Sequence, residues 1–132
     1  MLITIDTSAI LSVLVNEVHK KQIIRVTQDC ELQSPASLDA EIGNALSAMV
    51  KRNKLSLNEA QEVIEQFDRI PIRRTSIRLL QVMDLVSAFK IYAYDAYVLD
   101  CARQYQTPLL SLDKKMIDIA NKLQIITLEA SL

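Results

Sequence analysis

The chain has 132 residues, of which 50% are hydrophobic and 23% are charged. This length favours a single domain, residues 1–132, and the composition excludes a disordered tail or a low-complexity linker. The longest apolar run, residues 9–15, is far shorter than the roughly 20 residues that a membrane span needs. The first six residues lack a basic leader and end in an acid, so we expect a cytoplasmic protein without a signal peptide.

The cysteines indicate the redox state of the thiols, and the charge balance bears on the kind of ligand. Cys30 and Cys101 lie far apart without the spacing of a zinc site, which predicts reduced thiols. The 15 basic and 16 acidic residues give a net charge of −1. If four acids are gathered in one site, as proposed below, the remaining surface is net positive, so a polyanionic ligand is not excluded.

Short apolar runs alternate with helical patterns along the first half of the chain. They predict, in order, a strand, two helices, a strand and a helix over residues 2–5, 10–18, 20–28, 31–33 and 36–52. Ser34 and Pro35 are predicted to begin the last of these helices, as its N-cap and its first residue.

The second half continues the alternation. Ser56 and Glu59 match a capping box and begin a helix that ends near Asp68. The later patterns predict a strand, two helices, a strand, a helix and a strand over residues 70–72, 76–89, 94–105, 109–112, 114–122 and 125–128. Pro71 confines its strand to a sheet edge or a strand start. This alternation predicts an α/β fold with a central, mainly parallel sheet flanked by helices.

Four acidic residues stand where such a sheet would hold a ligand. Asp6 and Asp113 follow predicted strands, and ligands bind at the carboxyl ends of parallel strands. Glu41 and Asp95 lie on predicted helices beside small residues. If the four converge, their mutual repulsion is relieved by a hard divalent cation such as Mg²⁺ or Mn²⁺. Such a site can activate water and neutralise the charge of a phosphate.

Each acid also has a structural explanation. Asp6, Asp95 and Asp113 stand at or near predicted helix starts, where an Asp N-cap is worth about 1 kcal/mol. Glu41 alone would be a solvated helix residue. The four together favour a site, because Glu41 borders an apolar helix face where a carboxylate needs a partner.

Two neighbours of Glu41 are notable. A glycine inside a helix costs about 1 kcal/mol relative to alanine, so Gly43 indicates either close approach by a backbone or ligand, or tight helix packing. Asn44 lies on the same helix face as Glu41 and is predicted to orient that carboxylate or a bound water.

Four motifs in a fixed order resemble the PIN-domain nucleases, most closely the VapC-type toxins of toxin–antitoxin pairs. The motifs are Ile-Thr-Ile-Asp-Thr-Ser at residues 3–8, Glu41 with Asn-Ala-Leu at 44–46, Tyr-Asp-Ala-Tyr-Val-Leu at 94–99 with Cys-Ala at 101–102, and Pro-Leu-Leu-Ser-Leu-Asp at 108–113. Order, spacing and total length all match, so the resemblance covers the whole chain.

The resemblance implies a PIN-like domain that is an endoribonuclease dependent on Mg²⁺ or Mn²⁺. It implies hydrolysis of phosphodiester bonds in structured RNA, leaving 5′-phosphate and 3′-hydroxyl ends. By position, Asp6, Glu41 and Asp95 are the core catalytic and metal-binding acids, and Asp113 matches the fourth, more variable acid.

The resemblance also implies supporting residues and partners. Thr7 or Ser8, together with Ser111, match hydroxyl positions that help to hold the site or a phosphate. The implied assembly is a homodimer, neutralised by a small antitoxin that reaches into the catalytic groove.

Other polar residues are given lesser roles. Asp100 is turned roughly 140° from Asp95 around a helix and is predicted to lie at the rim or surface, as is Asp118. His19 is the sole histidine, which excludes a histidine-pair ribonuclease mechanism within one chain.

Two basic groups could contact phosphates or form solvated faces: Arg69, Arg73, Arg74 and Arg78, and Lys51, Arg52 and Lys54. The tyrosines between residues 92 and 105 could stack on bases, or pack in the core or a dimer interface.

Three alternatives stay open at this point. A receiver-type phosphorylation domain would need an acid pair after its first strand, where this chain has only Asp6. A non-catalytic binding module with the PIN fold would be indicated by a missing acid, and all four are present. A PIN nuclease acting on DNA, or in RNA maturation, has the same motifs.

Overall fold

The first strand of the chain lies at the centre of one parallel sheet. The computed structural model describes residues 1–15 and 18–128. The strands are β1 (Leu2–Ile5), β2 (Glu31–Pro35), β3 (Ile72–Thr75), β4 (Leu109–Leu110) and β5 (Thr127–Leu128). Their order is β3-β2-β1-β4-β5, and all neighbours pair in parallel. The predicted α/β fold is thereby confirmed.

The strand order reverses between β1 and β4. In doubly wound sheets of this order, ligands bind outside the carboxyl ends of the strands at the point of reversal. Asp6 directly follows β1, and Asp113 lies shortly after β4. A receiver domain has the order 2-1-3-4-5 instead, so that alternative is wrong.

Helices cover both faces of the sheet. They are α1 (Thr7–Leu14), α2 (Lys20–Thr27), α3 (Leu38–Lys51), α4 (Leu57–Asp68), α5 (Leu79–Phe89), α6 (Ala93–Tyr105) and α7 (Lys114–Lys122). The first predicted helix included residues 16–17, which lie outside the described residues, as do residues 129–132. No helix in the described ranges is long and apolar enough to cross a membrane.

The two faces of the sheet hold two apolar clusters. Ile3 and Ile5 of β1 pack with residues of α1, α3 and α4, whereas Thr4 between them contacts Cys101 of α6. In β4, Leu110 belongs to the same cluster as Ile3, and Leu109 packs with α5, α6 and α7. Because successive strand residues face opposite sides, the sheet is buried on both faces.

The predicted helix start at Ser34 and Pro35 is wrong. Both residues belong to β2, where Pro35 pairs with Thr75 of β3. The Ser34 hydroxyl donates a hydrogen bond to the Ile5 carbonyl at 2.8 Å. A Ser-Pro pair matches a helix start locally, but pairing with β3 extends the strand through both residues. The prediction from Pro71 is confirmed, since β3 is an edge strand that begins directly after it.

Candidate functional site

The Asp6 carboxylate is the most enclosed of the four acids, with 4% of the residue exposed. It caps α1: Oδ1 accepts hydrogen bonds from Ala9 N at 3.0 Å and from the Ser8 hydroxyl at 2.7 Å. Oδ2 accepts a short hydrogen bond from the Ser111 hydroxyl. Burial raises the pKa of Asp6 above its ordinary value, although these three hydrogen bonds act in the opposite direction.

The two serine hydroxyls also join the start of α1 to the loop that follows β4. While each donates to Asp6, Ser8 Oγ accepts from Leu112 N at 3.1 Å and Ser111 Oγ accepts from Asp113 N at 3.0 Å. The Asp6 carboxylate is therefore fixed by the first turn of α1 and by the loop after β4, at the point where the strand order reverses. Three of its roughly four acceptor positions are occupied, which leaves one for a ligand.

Glu41 lies in the first turn of α3 and is partly buried. Its Oε2 accepts a hydrogen bond from the Ser37 hydroxyl at 2.8 Å, and the nearby Thr7 side chain acts, like Ser37, to lower the pKa of Glu41. Burial raises the pKa of Glu41, and the negative charges of Asp6 and Asp95 raise it further.

Asp95 and Asp113 complete the cluster. Asp95 lies in the first turn of α6, where burial and then the charge of Asp113 raise its pKa, while Lys115 has the opposite effect. Asp113 caps α7, with Oδ1 accepting from Lys115 N at 3.0 Å and Met116 N at 3.3 Å. Asp6 and Asp113 therefore are helix N-caps, as their structural explanation predicts, and an N-cap carboxylate keeps an oxygen that can bind a ligand.

Electrostatic interactions link the four acids into one group. Asp6 interacts with Asp113 and with Glu41, and Asp95 interacts with Glu41 and with Asp113. No three His, Cys, Asp or Glu side chains within residues 1–15 and 18–128 form a ready-made metal-binding group. The donor set nevertheless fits a hydrated hard cation, because Mg²⁺ prefers oxygen and keeps several waters beside one or two carboxylates.

The predicted supporting residues differ in what they contact. Ser8 and Ser111 donate hydrogen bonds to Asp6, and Thr7 lies near Glu41. The Asn44 side chain is exposed, and its predicted role toward Glu41 or a bound water stays a prediction. Sequence reasoning missed Ser37. The four-residue spacing from Ser37 to Glu41 on one helix face is the signal that would have found it.

Two of the explanations predicted for Gly43, a close backbone and tight helix packing, are wrong. The residue is exposed, and a Cβ built there would have no neighbouring atom within 4 Å. Neither a close backbone nor a tightly packed helix requires glycine at this position. Asp118 is exposed, as predicted.

The surface prediction for Asp100 is also wrong, since only 3% of the residue is exposed. Arg78 donates two hydrogen bonds to its carboxylate, at 2.7 and 3.0 Å, and Arg103 donates one at 3.1 Å. Burial alone would raise the pKa of Asp100, but the two arginines lower it overall. The surface prediction fails because this side of α6 faces the start of α5 and not solvent.

Most of the first basic group is engaged within the chain. Arg74 forms a two-point ion pair with Asp39 and lies 5.4 Å from the Phe67 ring centroid. Arg73 lies 5.1 Å from the centroid of the Tyr105 ring. With Arg78 bound to Asp100, three of the four arginines have intramolecular roles.

Known proteins resemble this chain in sequence and in fold. Residues 3–122 match the family model described as PIN domain. Ribonuclease VapC9 of Mycobacterium tuberculosis is 24% identical over 117 residues, which are 89% of this chain and 90% of that protein. PAE2754 from Pyrobaculum aerophilum has a TM-score of 0.71 at 16% identity, covering 96% of this chain and 83% of that chain. VapBC2 from Rickettsia felis, bound to a promoter DNA fragment, has a TM-score of 0.69 at 12% identity, covering 97% and 98%.

Proposed function

The chain belongs to the PIN-domain family, and from this premise we propose that it is a metal-dependent endoribonuclease, the toxin of a toxin–antitoxin pair. The observation that carries the proposal is the group of four interacting carboxylates at the reversal point of the sheet. Similarity to a protein named Ribonuclease VapC9 and to the VapBC2 structure supports the substrate and the biological role.

We infer that Asp6, Glu41 and Asp95 hold Mg²⁺ or Mn²⁺, with Asp113 as a fourth acid. When bound, such an ion lowers the pKa of water and stabilises negative charge on a phosphate. The raised pKa values of Asp6, Glu41 and Asp95 fit this role, because carboxylates whose charge is not fully compensated by cations bind either protons or a metal.

The surrounding side chains prepare the carboxylates for that role. Ser8 and Ser111 hold Asp6 in one orientation, while Ser37 holds Glu41. Lys115 interacts with Asp95 from the first turn of α7 and brings a positive charge to the rim of the site. That charge favours the approach of an RNA phosphate.

We further propose a cytoplasmic homodimer whose activity is blocked by a small antitoxin. The named VapBC2 relative and the implied family assembly support this expectation. Cleavage of DNA, or a role in RNA maturation, is the alternative that uses the same residues.

The test is cleavage by the purified chain, produced without antitoxin, of structured RNA and of DNA of matched sequence. We expect RNA cleavage with Mg²⁺ or Mn²⁺, none with EDTA, and none with Asp6→Asn. Asparagine is also a good N-cap, so this variant keeps the start of α1. Asp118→Asn on exposed α7 surface is the matched control and should cleave normally. Equal cleavage by wild type and Asp6→Asn, or cleavage that persists in EDTA, would contradict the proposal.

A further inference from the structure

We propose that Ser37 is a positioning residue that orients the Glu41 carboxylate toward the divalent cation. This inference rests on the proposed function, because it takes Glu41 as a metal ligand. Ser37 belongs to none of the four sequence motifs, and its role follows only from its contacts.

The backbone at Ser37 is unusual for a serine at a helix start. Ser37 occupies the N-cap position of α3, but its φ of −74° and ψ of −6° are helical and its side chain makes no capping hydrogen bond. A serine N-cap usually has extended backbone, and its oxygen accepts from an amide two or three residues later. Ser56 at the start of α4 does so, with ψ of 166° and a hydrogen bond from Glu59 N.

Freed from capping, the Ser37 hydroxyl donates to Glu41 Oε2 at 2.8 Å. The backbone fixes the same pair, because Glu41 N donates to the Ser37 carbonyl at 3.0 Å. Ser37 and Glu41 therefore lie one helical turn apart on the same side of the helix, where their side chains meet.

Two serine–glutamate pairs among the described residues differ in what the carboxylate does. Glu59 turns back to accept from Ser56 N at 2.9 Å and is exposed on the surface. Glu41 instead reaches the vicinity of Asp6 and Asp95. The Ser37 hydrogen bond uses one acceptor position of Oε2 and leaves Oε1 and the rest of Oε2 for a cation.

A hydroxyl that donates to a ligating carboxylate restricts its rotation and favours its ionised form. Loss of such a partner typically costs 10–100-fold in metal affinity or activity. We therefore expect Ser37→Ala to bind Mn²⁺ about 10-fold more weakly than wild type. Ser37→Thr keeps the hydroxyl and should bind within about threefold of wild type, since replacing one hydroxyl with another preserves the hydrogen bond.

The experiment is a titration of the full chain with Mn²⁺, in the absence of RNA, with free Mn²⁺ followed by electron paramagnetic resonance. The matched control is Ser47→Ala, which removes an exposed hydroxyl of the same helix that donates only to the Asn44 carbonyl. Glu41→Gln and the double variant Ser37→Ala/Glu41→Gln complete a cycle. Thermal unfolding of each metal-free variant checks the fold.

Support requires weaker binding by Ser37→Ala, recovery in Ser37→Thr, an unchanged Ser47→Ala, and no further loss when Ser37→Ala is added to Glu41→Gln. Wild-type affinity in Ser37→Ala, with Glu41→Gln weakened, would overturn the role of Ser37 and leave the proposed metal site intact. Equal binding by wild type and Glu41→Gln would overturn the proposed function and the inference together. A loss confined to thermal stability would show a purely structural serine.

Discussion

Asp6 and Asp100 are two carboxylates buried to the same degree, with 4% and 3% of the residue exposed, but they have opposite partners. Asp6 accepts hydrogen bonds from two hydroxyls and one amide, and the charged groups that interact with it are the acids Asp113 and Glu41. Asp100 is bound by two guanidinium groups. Burial therefore raises the pKa of one, and arginines lower the pKa of the other. The degree of burial does not distinguish the two acids, whereas the presence of paired arginines does.

The largest difference between the two acids should be in catalysis. Loss of one carboxylate from a catalytic metal site typically removes several kcal/mol of transition-state stabilisation. We therefore expect Asp6→Asn to reduce the rate of RNA cleavage about 1,000-fold. Asp100→Asn should keep activity within about threefold, provided that assays run well below its unfolding temperature. Initial rates at saturating Mn²⁺ measure both. A comparable loss in Asp100→Asn would end the distinction between the sites.

For protein stability, Asp100→Asn should have a larger effect than Asp6→Asn, the reverse of the order expected for catalysis. Asp100→Asn leaves Arg78 and Arg103 without their shared carboxylate. We expect the free energy of unfolding to fall by about 2 kcal/mol. Breaking a fully buried pair costs about 3–5 kcal/mol, and the loss is smaller here because both arginines are partly exposed. Asp6→Asn should stay within about 1 kcal/mol of wild type in metal-free buffer, since it removes an uncompensated buried charge. Urea unfolding at neutral pH measures both values. A larger loss for Asp6→Asn would contradict the comparison.

The pH dependence of stability sharpens the same contrast. Because its folded pKa is raised, Asp6 holds a proton in the folded chain more strongly, so its contribution declines as pH rises from the ordinary value of 3.8 through the folded pKa. The folded pKa of Asp100 is lowered, so its contribution is present above 3.8 and is lost as pH falls through the folded value. Metal-free urea unfolding across this range should give opposite changes in slope for Asp6→Asn and Asp100→Asn relative to wild type. Changes of the same sign would contradict these assignments.

The smallest effect is expected at Gly43, which is not a hydrogen-bond partner of Asp6 or of Asp100. Because a new Cβ meets no atom within 4 Å, Gly43→Ala should stabilise the chain by up to about 1 kcal/mol through helix propensity. Cleavage and the contrast between Asp6 and Asp100 should be unchanged. Lower thermal stability of this variant would show a constraint on α3 that the structure lacks.

Sequence reasoning located what depends on local pattern. The continuous apolar run of β1, the capping box at Ser56 and the acids after β1 and β4 follow from neighbouring residues in the chain. The approach of Glu41 and Asp95 to these acids was expected mainly from the family resemblance. Their roles as ligands remain a proposal.

What sequence reasoning missed depends on contacts between distant segments. Arg78, one of the two arginines bound to Asp100, lies 22 residues away at the start of α5. Ser34 and Pro35 match a helix start locally, but they pair with β3. Ser37 lies within the predicted helix over residues 36–52, and the pattern that predicts this helix carries no information on the direction of a hydroxyl.

The most direct test of the central claim is the position of a bound Mn²⁺ ion, determined by anomalous diffraction from crystals of the full chain soaked in MnCl₂. We expect an anomalous peak with a carboxylate oxygen of Asp6 among its ligands, and no peak beside Asp100. The same soak of Asp6→Asn crystals should lose that peak. An Mn²⁺ ion that binds away from Asp6, Glu41 and Asp95 in wild type, or that stays in place in Asp6→Asn, would contradict the assignment of these carboxylates as the metal site.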